Sequence, residues 1–289
     1  MADLLLQTTV NAVYAASFMA LVAVGLVLIF GVMGVINFAH GEFYMLGAYV
    51  VAFVYAGQKL SFMFAVAVGL IFVGCLGILV ERGLFRPLRD NPLAGLIVSI
   101  GLLLVLQAAV AAGFGVRMEH IPAPFQAVIP ITGNVGIPLQ RLVTILAAII
   151  LLLGLWLVLK RSKFGWALRA CAQDPEAAAL QGISMNQTAR IAMGIGAALA
   201  GVAGALTAPL VRTYPYMGHS VIVTTFIVII VGGMGSLEGA VVAAILYAFV
   251  HTFVTTFADG VVADIVGLLL MLLVLVVRPQ GLFGKADRA

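Results

Sequence analysis

Nine apolar runs divide the chain, near residues 10–36, 43–57, 61–80, 93–113, 142–159, 189–210, 221–231, 240–258 and 262–277. A straight helical crossing of a bilayer needs about 20 residues. Runs 43–57 and 221–231 fall short of that, and each abuts a glycine-rich break, so both are expected as discontinuous or re-entrant helices. The pattern predicts an all-α, polytopic membrane protein with eight or nine transmembrane helices, organised as one domain over 1–289.

Composition narrows this further. Hydrophobic residues make up 64% of the 289 positions and charged residues 9%, against about 45–50% and about 25% in a soluble domain. No water-soluble fold of this size hides so much apolar surface, which excludes a soluble enzyme, a nucleic-acid-binding domain and a disordered chain. The net charge of +4 is read as basic cytoplasmic loops rather than a nucleic-acid footprint. Arg82, Arg86 and Arg89, then Lys160, Arg161, Lys163, Arg169 and Arg190, then Arg278, Lys285 and Arg288 share one side of a nine-crossing chain. That side is cytoplasmic, with the N-terminus outside and the C-terminus inside. The start, MADLLLQTT, lacks a basic n-region and is expected to be retained. Cys75 and Cys171 fit neither metal spacing nor a disulfide framework.

Two loops are long. Residues 114–140, external in this topology, carry Pro122, Pro124, Pro130 and Pro138 with a turn signal at Gly133-Asn134. Residues 160–188, cytoplasmic, contain DPEAAALQG at 174–182. Asp174 suits an N-cap, Pro175 the first helical position and Glu176 the positive end of the helix dipole. Ala177, Ala178, Ala179 and Leu180 are good helix formers, and Gly182 can take the left-handed C-terminal conformation. Such a short helix needs a surface to lie on.

GVINFAHGEFYMLGAYV (34–50) sets Asn37, His40 and Glu42 between two apolar runs, with Gly41 permitting a break. Residues 10–56 would measure roughly 70 Å as helix, most of it used by two crossings of a core about 30 Å thick. The trio therefore lies at or near a turn. Either it is a functional group of residues within the membrane, or it caps a helix end with His40 and Glu42 hydrogen-bonded to each other and Asn37 capping the second helix. A second break, IVGGMGSLEGAVVAA (230–244), holds Gly232, Gly233, Gly235, Ser236, Glu238 and Gly239. Gly235 and Gly239, four apart, allow close helix approach, and paired breaks in two halves of a transporter point to a substrate path. Both breaks precede an outward-going helix in this topology, which does not fit an inverted repeat: either the repeat is parallel or the count of crossings is off by one. Gly196, Ala200, Gly204 and Ala208 form a small-residue ridge that is expected to pack at the centre of the fold.

These segments resemble a known family. Glu176-Ala177-Ala178 followed by Gly182 matches the EAA-x-x-x-G pattern of ABC importer permeases, and RSKFGWALRACAQDPEAAALQGI (161–183) is similar to the coupling segment of LivH-type branched-chain amino acid permeases. INFAHGEFYMLGAY, GGMGSLEGA, the charged loop at 81–92 and the terminal VVRPQGLFG resemble that family too. Gly194-Ile195 stands where the wider EAA pattern has Leu-Pro. The resemblance implies a permease subunit in a bacterial inner membrane. It would work with a second, LivM-type permease, two ATPases of LivG and LivF type and a periplasmic binding protein, and its expected substrates are leucine, isoleucine and valine. Asp174, Pro175, Glu176, Ala177, Ala178 and Gly182 would then couple to the ATPases. Asn37, His40, Gly41, Glu42, Gly232, Gly233, Gly235, Ser236 and Glu238 would line or gate the pathway.

The chain has no GxxxxGK[ST] phosphate loop, no HExxH and no GxSxG. It is not expected to be an enzyme or to hold a cofactor or metal of its own, and ATP with its magnesium falls to the partners. Similar importers carry other neutral amino acids, urea, short amides or aromatic acids. Readings of another class are a proton-coupled carrier relayed by His40, Glu42 and Glu238, and a passive channel. Neither explains a capped EAA helix between spans.

Overall fold

The computed structural model describes residues 1–89, 91–132 and 135–284. The turn expected at Gly133-Asn134 and the basic residues Lys285 and Arg288 lie outside them. Each of the nine apolar runs becomes a helix. Among the described residues, seven are long and apolar enough to cross a membrane: α1 (Ala2–Met33), α3 (Phe62–Val80), α4 (Pro92–Phe114), α5 (Leu139–Arg161), α8 (Met185–Thr207), α10 (Leu237–Phe257) and α11 (Gly260–Val277). Two are short, α2 (His40–Val51) and α9 (Met217–Gly232), and they are the two runs that fell below spanning length. The expected eight or nine crossings thus resolve into seven long spans and two broken ones. A π-helical stretch, Ala52–Gly57, prolongs α2, and another, Glu81–Phe85, prolongs α3. The loop between α5 and α8 folds into α6 (Lys163–Gln173) and α7 (Pro175–Leu180). The long loop before α5 holds a two-stranded antiparallel hairpin, β1 (Val128–Thr132) and β2 (Val135–Pro138), which the all-α reading did not foresee.

The helix α8 is the centre of the packing. Its small residues are fully buried and let three other helices reach its backbone. Gly196 meets Gly25 of α1, Gly201 meets Gly47 of α2 and Val73 of α3, and Gly204 meets the Tyr44 carbonyl of α2. The expected ridge is therefore the seam of the fold. At its C-terminal end, α8 is held by α5: Gln140 Nε2 donates to the Leu206 carbonyl at 2.8 Å. The Tyr44 hydroxyl shares a 2.6 Å hydrogen bond with Thr207 Oγ1. Large apolar side chains of α4, α5 and α11 remain exposed, among them Leu104, Ile150 and Leu272, as lipid-facing helices require.

The two ends of the molecule differ. One end carries the β-hairpin, the start of α1 and the start of α5, where Arg141 reaches Asn11 and stacks over the Tyr14 ring. The other carries α6, α7 and the basic loops. There Arg89 bridges the buried Glu81 at 2.5 Å and Asn186 at the start of α8 at 2.7 Å. Arg169 Nη1 donates to the Leu159 carbonyl at 2.6 Å, closing the C-terminus of α5.

Helices α1–α4 and α8–α11 follow one plan in opposite directions: a long span, a break, a short helix, then two long spans. The arrangement is reciprocal, since α3 packs on α8 and α10 packs on α1. α1 and α8 are antiparallel, because the start of α1 and the end of α8 both lie at the start of α5. The repeat is therefore inverted, which removes the parallel alternative. The counterpart of the break at 34–39 is the stretch 208–216, not the glycine turn at 230–239.

Candidate functional site

The chain leaves α1 through Gly34 in a left-handed conformation and turns back alongside it. Residues 34–39 are held by α4: Ser99 Oγ accepts from Phe38 N at 3.1 Å, and Gly95 leaves room for Val35. Asn37 Oδ1 accepts from Ala39 N at 3.1 Å, a turn that leads into α2 rather than a cap on its first-turn amides. The helix α2 then starts at His40, whose Nε2 donates to the Val22 carbonyl of α1 at 3.1 Å. Val22 lies about 16 Å from the C-terminal end of α1, at 1.5 Å rise per residue. The polar trio is thus within the span and not at a helix end on the surface.

The second half supplies the mirror element. After α8, residues 208–216 touch the other loop through paired bonds between Glu119 and Thr213, 2.8 and 3.0 Å. The helix α9 then starts at Met217 directly against α2. A side chain at Gly41 would overlap the Gly218 carbonyl, and one at Gly218 would meet the Gly41 carbonyl at 2.6 Å and the Glu42 carboxyl at 2.8 Å. Two half-helices therefore meet N-terminus to N-terminus, with Phe38 packed edge-on against Phe226 below the joint, 4.9 Å between ring centroids. Both N-termini bring positive partial charge to the buried Glu42 carboxyl. Gln107 Nε2 of α4 donates to Glu42 Oε1 at 2.9 Å.

His40 and Glu42 are not bonded to each other, contrary to one expectation above. Residues two apart on a helix do not face each other, so His40 points to α1 and Glu42 to α4 and α9. Three polar atoms in this group are buried without a protein partner: Asn37 Nδ2, His40 Nδ1 and Glu42 Oε2. Buried polar atoms are nearly always paired, so this joint keeps unspent hydrogen-bonding capacity, as do Tyr14, Tyr49 and Gln140 elsewhere among the described residues. Glu42→Ala is expected to lower stability by about 1–3 kcal/mol, since Gln107 loses its partner. Glu42→Gln, which keeps an acceptor oxygen, is expected to cost less than half of that. Thermal unfolding of the two variants in detergent checks this. Equal losses would mean that the Gln107 contact contributes nothing.

The other predicted pathway residues lie elsewhere. Gly232 ends α9, Gly233, Gly235 and Ser236 form the turn to α10, and Glu238 lies in the first turn of α10, all at the basic end and apart from the Asn37–Glu42 group. Ser236 caps α10 through Gly239 N at 3.0 Å, and Glu238 is exposed. The close approach is between Gly232 and Gly239, whereas nothing lies near Gly235. The segment after α11 is laced to this turn: Leu282 N donates to Val231 O and Phe283 N to Gly232 O, at 2.9 and 3.0 Å.

The capped helix in the basic loop forms as its residues dictate. Asp174 Oδ1 accepts from Glu176 N and Ala177 N at 3.0 and 2.9 Å. Pro175 opens α7, Gly182 is left-handed at φ 77°, and Ile183 N closes back on Ala178 O. Ala178 is buried toward the protein, while Glu176, Ala177 and Leu180 are exposed. Gln107 escaped the sequence reading, although a lone amide inside the run 93–113 was its signal.

Comparison with known proteins follows the same lines. The family described as "Branched-chain amino acid transport system / permease component" matches residues 8–275. The Escherichia coli K12 high-affinity branched-chain amino acid transport system permease protein LivH is 32% identical over 298 residues, 98% of this chain and 96% of that protein. The Pseudomonas aeruginosa permease protein BraD is 32% identical over 297 residues with the same coverage. Among solved structures, PsaBC from Streptococcus pneumoniae in complex with Fab matches with a TM-score of 0.52 at 15% identity, covering 94% of this chain and 92% of that one. That last likeness concerns the fold alone.

Proposed function

This chain belongs to the family of branched-chain amino acid transport system permease components, and we propose that it forms half of the translocation pathway of an ATP-driven importer for leucine, isoleucine and valine. The observation that carries this is α7, a capped helix between two spans with its apolar tip facing out of the protein. A helix of six residues has no stability of its own, and exposing Leu180 serves a partner's groove. The partners are a paralogous permease of LivM type, two ATPases of LivG and LivF type that bind ATP and magnesium, and a periplasmic binding protein. The chain itself binds no cofactor.

We place the basic end in the cytoplasm, a reading supported by the excess of Lys and Arg there. The N-terminus is then periplasmic and the C-terminus cytoplasmic, and the β-hairpin end meets the loaded binding protein. ATP closes the two ATPases, and α7 carries the motion through α6 and α8 into the membrane. Asn37, His40, Gly41 and Glu42 act at the joint of the half-helices, where two inverted halves turn against each other. Gly232, Gly233, Gly235, Ser236 and Glu238 gate the cytoplasmic mouth.

The test is purification of the tagged chain from its native membrane under mild detergent, then reconstitution with the binding protein. Two ATPases and a second permease are expected to copurify, and leucine uptake is expected to require ATP. Uptake by the chain alone that collapses with an uncoupler would establish a carrier instead. Flux without ATP or binding protein would establish a channel. ATP-dependent uptake of urea or an aromatic acid in place of leucine would keep the importer and replace the substrate.

A further inference from the structure

A second polar site lies outside every residue named above for the pathway. A cavity of about 240 Å³ opens between α1, α9, α10 and α11. Met19 and Val22 of α1 and Val228 of α9 give it an apolar wall, and Ser220, Thr224 and Thr225 line it along α9. At its mouth His251 Nε2 pairs with Asp264 Oδ1 at 3.0 Å. The His251 ring is held by stacking on Tyr247, 5.5 Å between centroids.

Two features separate this cavity from an accidental gap between helices. First, His251 and Asp264 lie about 9 Å and about 6 Å in from the adjoining ends of α10 and α11, by helical rise. The Asp264 side chain is nevertheless 72% exposed on the isolated chain. An ionisable pair at such a position faces protein or water, because facing lipid is costly. The cavity therefore opens toward a second chain or an aqueous path. Second, its lining is sorted by chemistry. Hydroxyls and the first turn of α9 lie on one side, a carboxylate at the mouth and aliphatic side chains at the back.

We propose that this cavity is a binding site for a zwitterionic amino acid with an aliphatic side chain. The free oxygen of Asp264 takes the ammonium group. Thr224 donates to the carboxylate, and Ser220 joins it by turning its hydroxyl from the Met217 carbonyl, to which it donates at 3.1 Å, with the N-terminal turn of α9 favouring the charge. The aliphatic side chain lies against Met19, Val22 and Val228. The volume is below the roughly 300–1,000 Å³ of sites for drug-sized ligands, which limits the occupant to a small molecule. Lysine is rejected, since its side-chain ammonium would be buried against the apolar wall without a partner. This proposal rests on the importer reading for its substrate class but not for its geometry.

Leucine protection against thiol labelling tests it in the purified transporter with its partners. Val221→Cys places a reporter in the lining, on a Cys75→Ser background that removes the exposed native thiol. Leucine, isoleucine and valine are expected to slow labelling by a methanethiosulfonate, and lysine is expected to leave it unchanged. Adding Asp264→Asn is expected to raise the half-protecting leucine concentration about tenfold, as for loss of a hydrogen bond to a charged group. Thr224→Trp, which fills the cavity, is expected to abolish leucine uptake while the ATPases still copurify. Absence of leucine protection in a complex that hydrolyses ATP and imports leucine would overturn the site and leave the importer reading intact. A chain that recruits no ATPases yet is protected by leucine would overturn the importer and keep the site.

Discussion

Gly47→Val is expected to abolish the folded chain. Here α2 and α8 touch backbone to backbone, and a Cβ at residue 47 would overlap the carbonyl, carbon and Cα of Gly201. The flexible end of a side chain could give way, but a helix backbone cannot. Gly201 is also pinned from its other side by Val73 of α3, so α8 has no free direction in which to retreat. In lipid, close van der Waals contact between small residues replaces the hydrophobic effect as the force that joins helices. Overpacking usually costs about 1–3 kcal/mol, and a backbone clash at the central crossing is expected to exceed that range. Size-exclusion chromatography after mild solubilisation reads it out: Gly47→Val should aggregate. Gly31→Val, at a position in α1 with open space around it, should elute as a single wild-type peak. A monodisperse Gly47→Val protein at normal yield would mean that the crossing is not close-packed.

The same crossing shows what the sequence made legible. The small-residue ridge on α8 was readable because packing of this kind leaves a four-residue period. The nine runs were readable because each helix must hide its own backbone in lipid. The helix at 174–182 was readable because its caps lie within nine residues of chain and answer to local chemistry. What escaped was everything set by depth. Nothing local distinguishes a turn at the surface from one that re-enters to the level of Val22, so His40 and Glu42 remained open between two readings. The break at 208–216 was overlooked for a related reason. Pro209, Pro215 and Gly218 mark it, but the glycine cluster at 230–239 is the louder signal, and it proved to be a turn at the basic end. The cavity on α9 was hidden as well. Ser220 and Thr225 bond to carbonyls of their own helix, so they pass as parts of an apolar run. His251 and Asp264 are lone ionisable residues on separate apolar runs, and only the contact between their two helices brings them together. The strands of the β-hairpin escaped notice because they are short and each holds a proline.

Leu180→Asp is expected to sever the chain from its ATPases while leaving the chain itself as stable as before. Leu180 is the last residue of α7 and is 86% exposed, the most exposed of the large apolar side chains apart from Met1. It adds nothing to the internal packing of this protein, so its replacement has no fold to damage. By contrast Ala178, 4% exposed on the opposite face, seats α7 on the rest of the chain. A short helix with one face seated and an apolar knob at its tip carries force only if the knob is gripped. Anchors of this kind contribute about 2 kcal/mol or more to an interface, and that loss weakens binding roughly 30-fold. The expected result of the pull-down is therefore a second permease still present, two ATPases missing and ATP-dependent uptake lost, with an unchanged apparent melting temperature. Ala178→Asp should differ by lowering that temperature, because it unseats α7 itself. If Leu180→Asp retained both ATPases and full uptake, α7 would be a connector between spans, and the drive from ATP would have to enter the membrane through another part of the basic end.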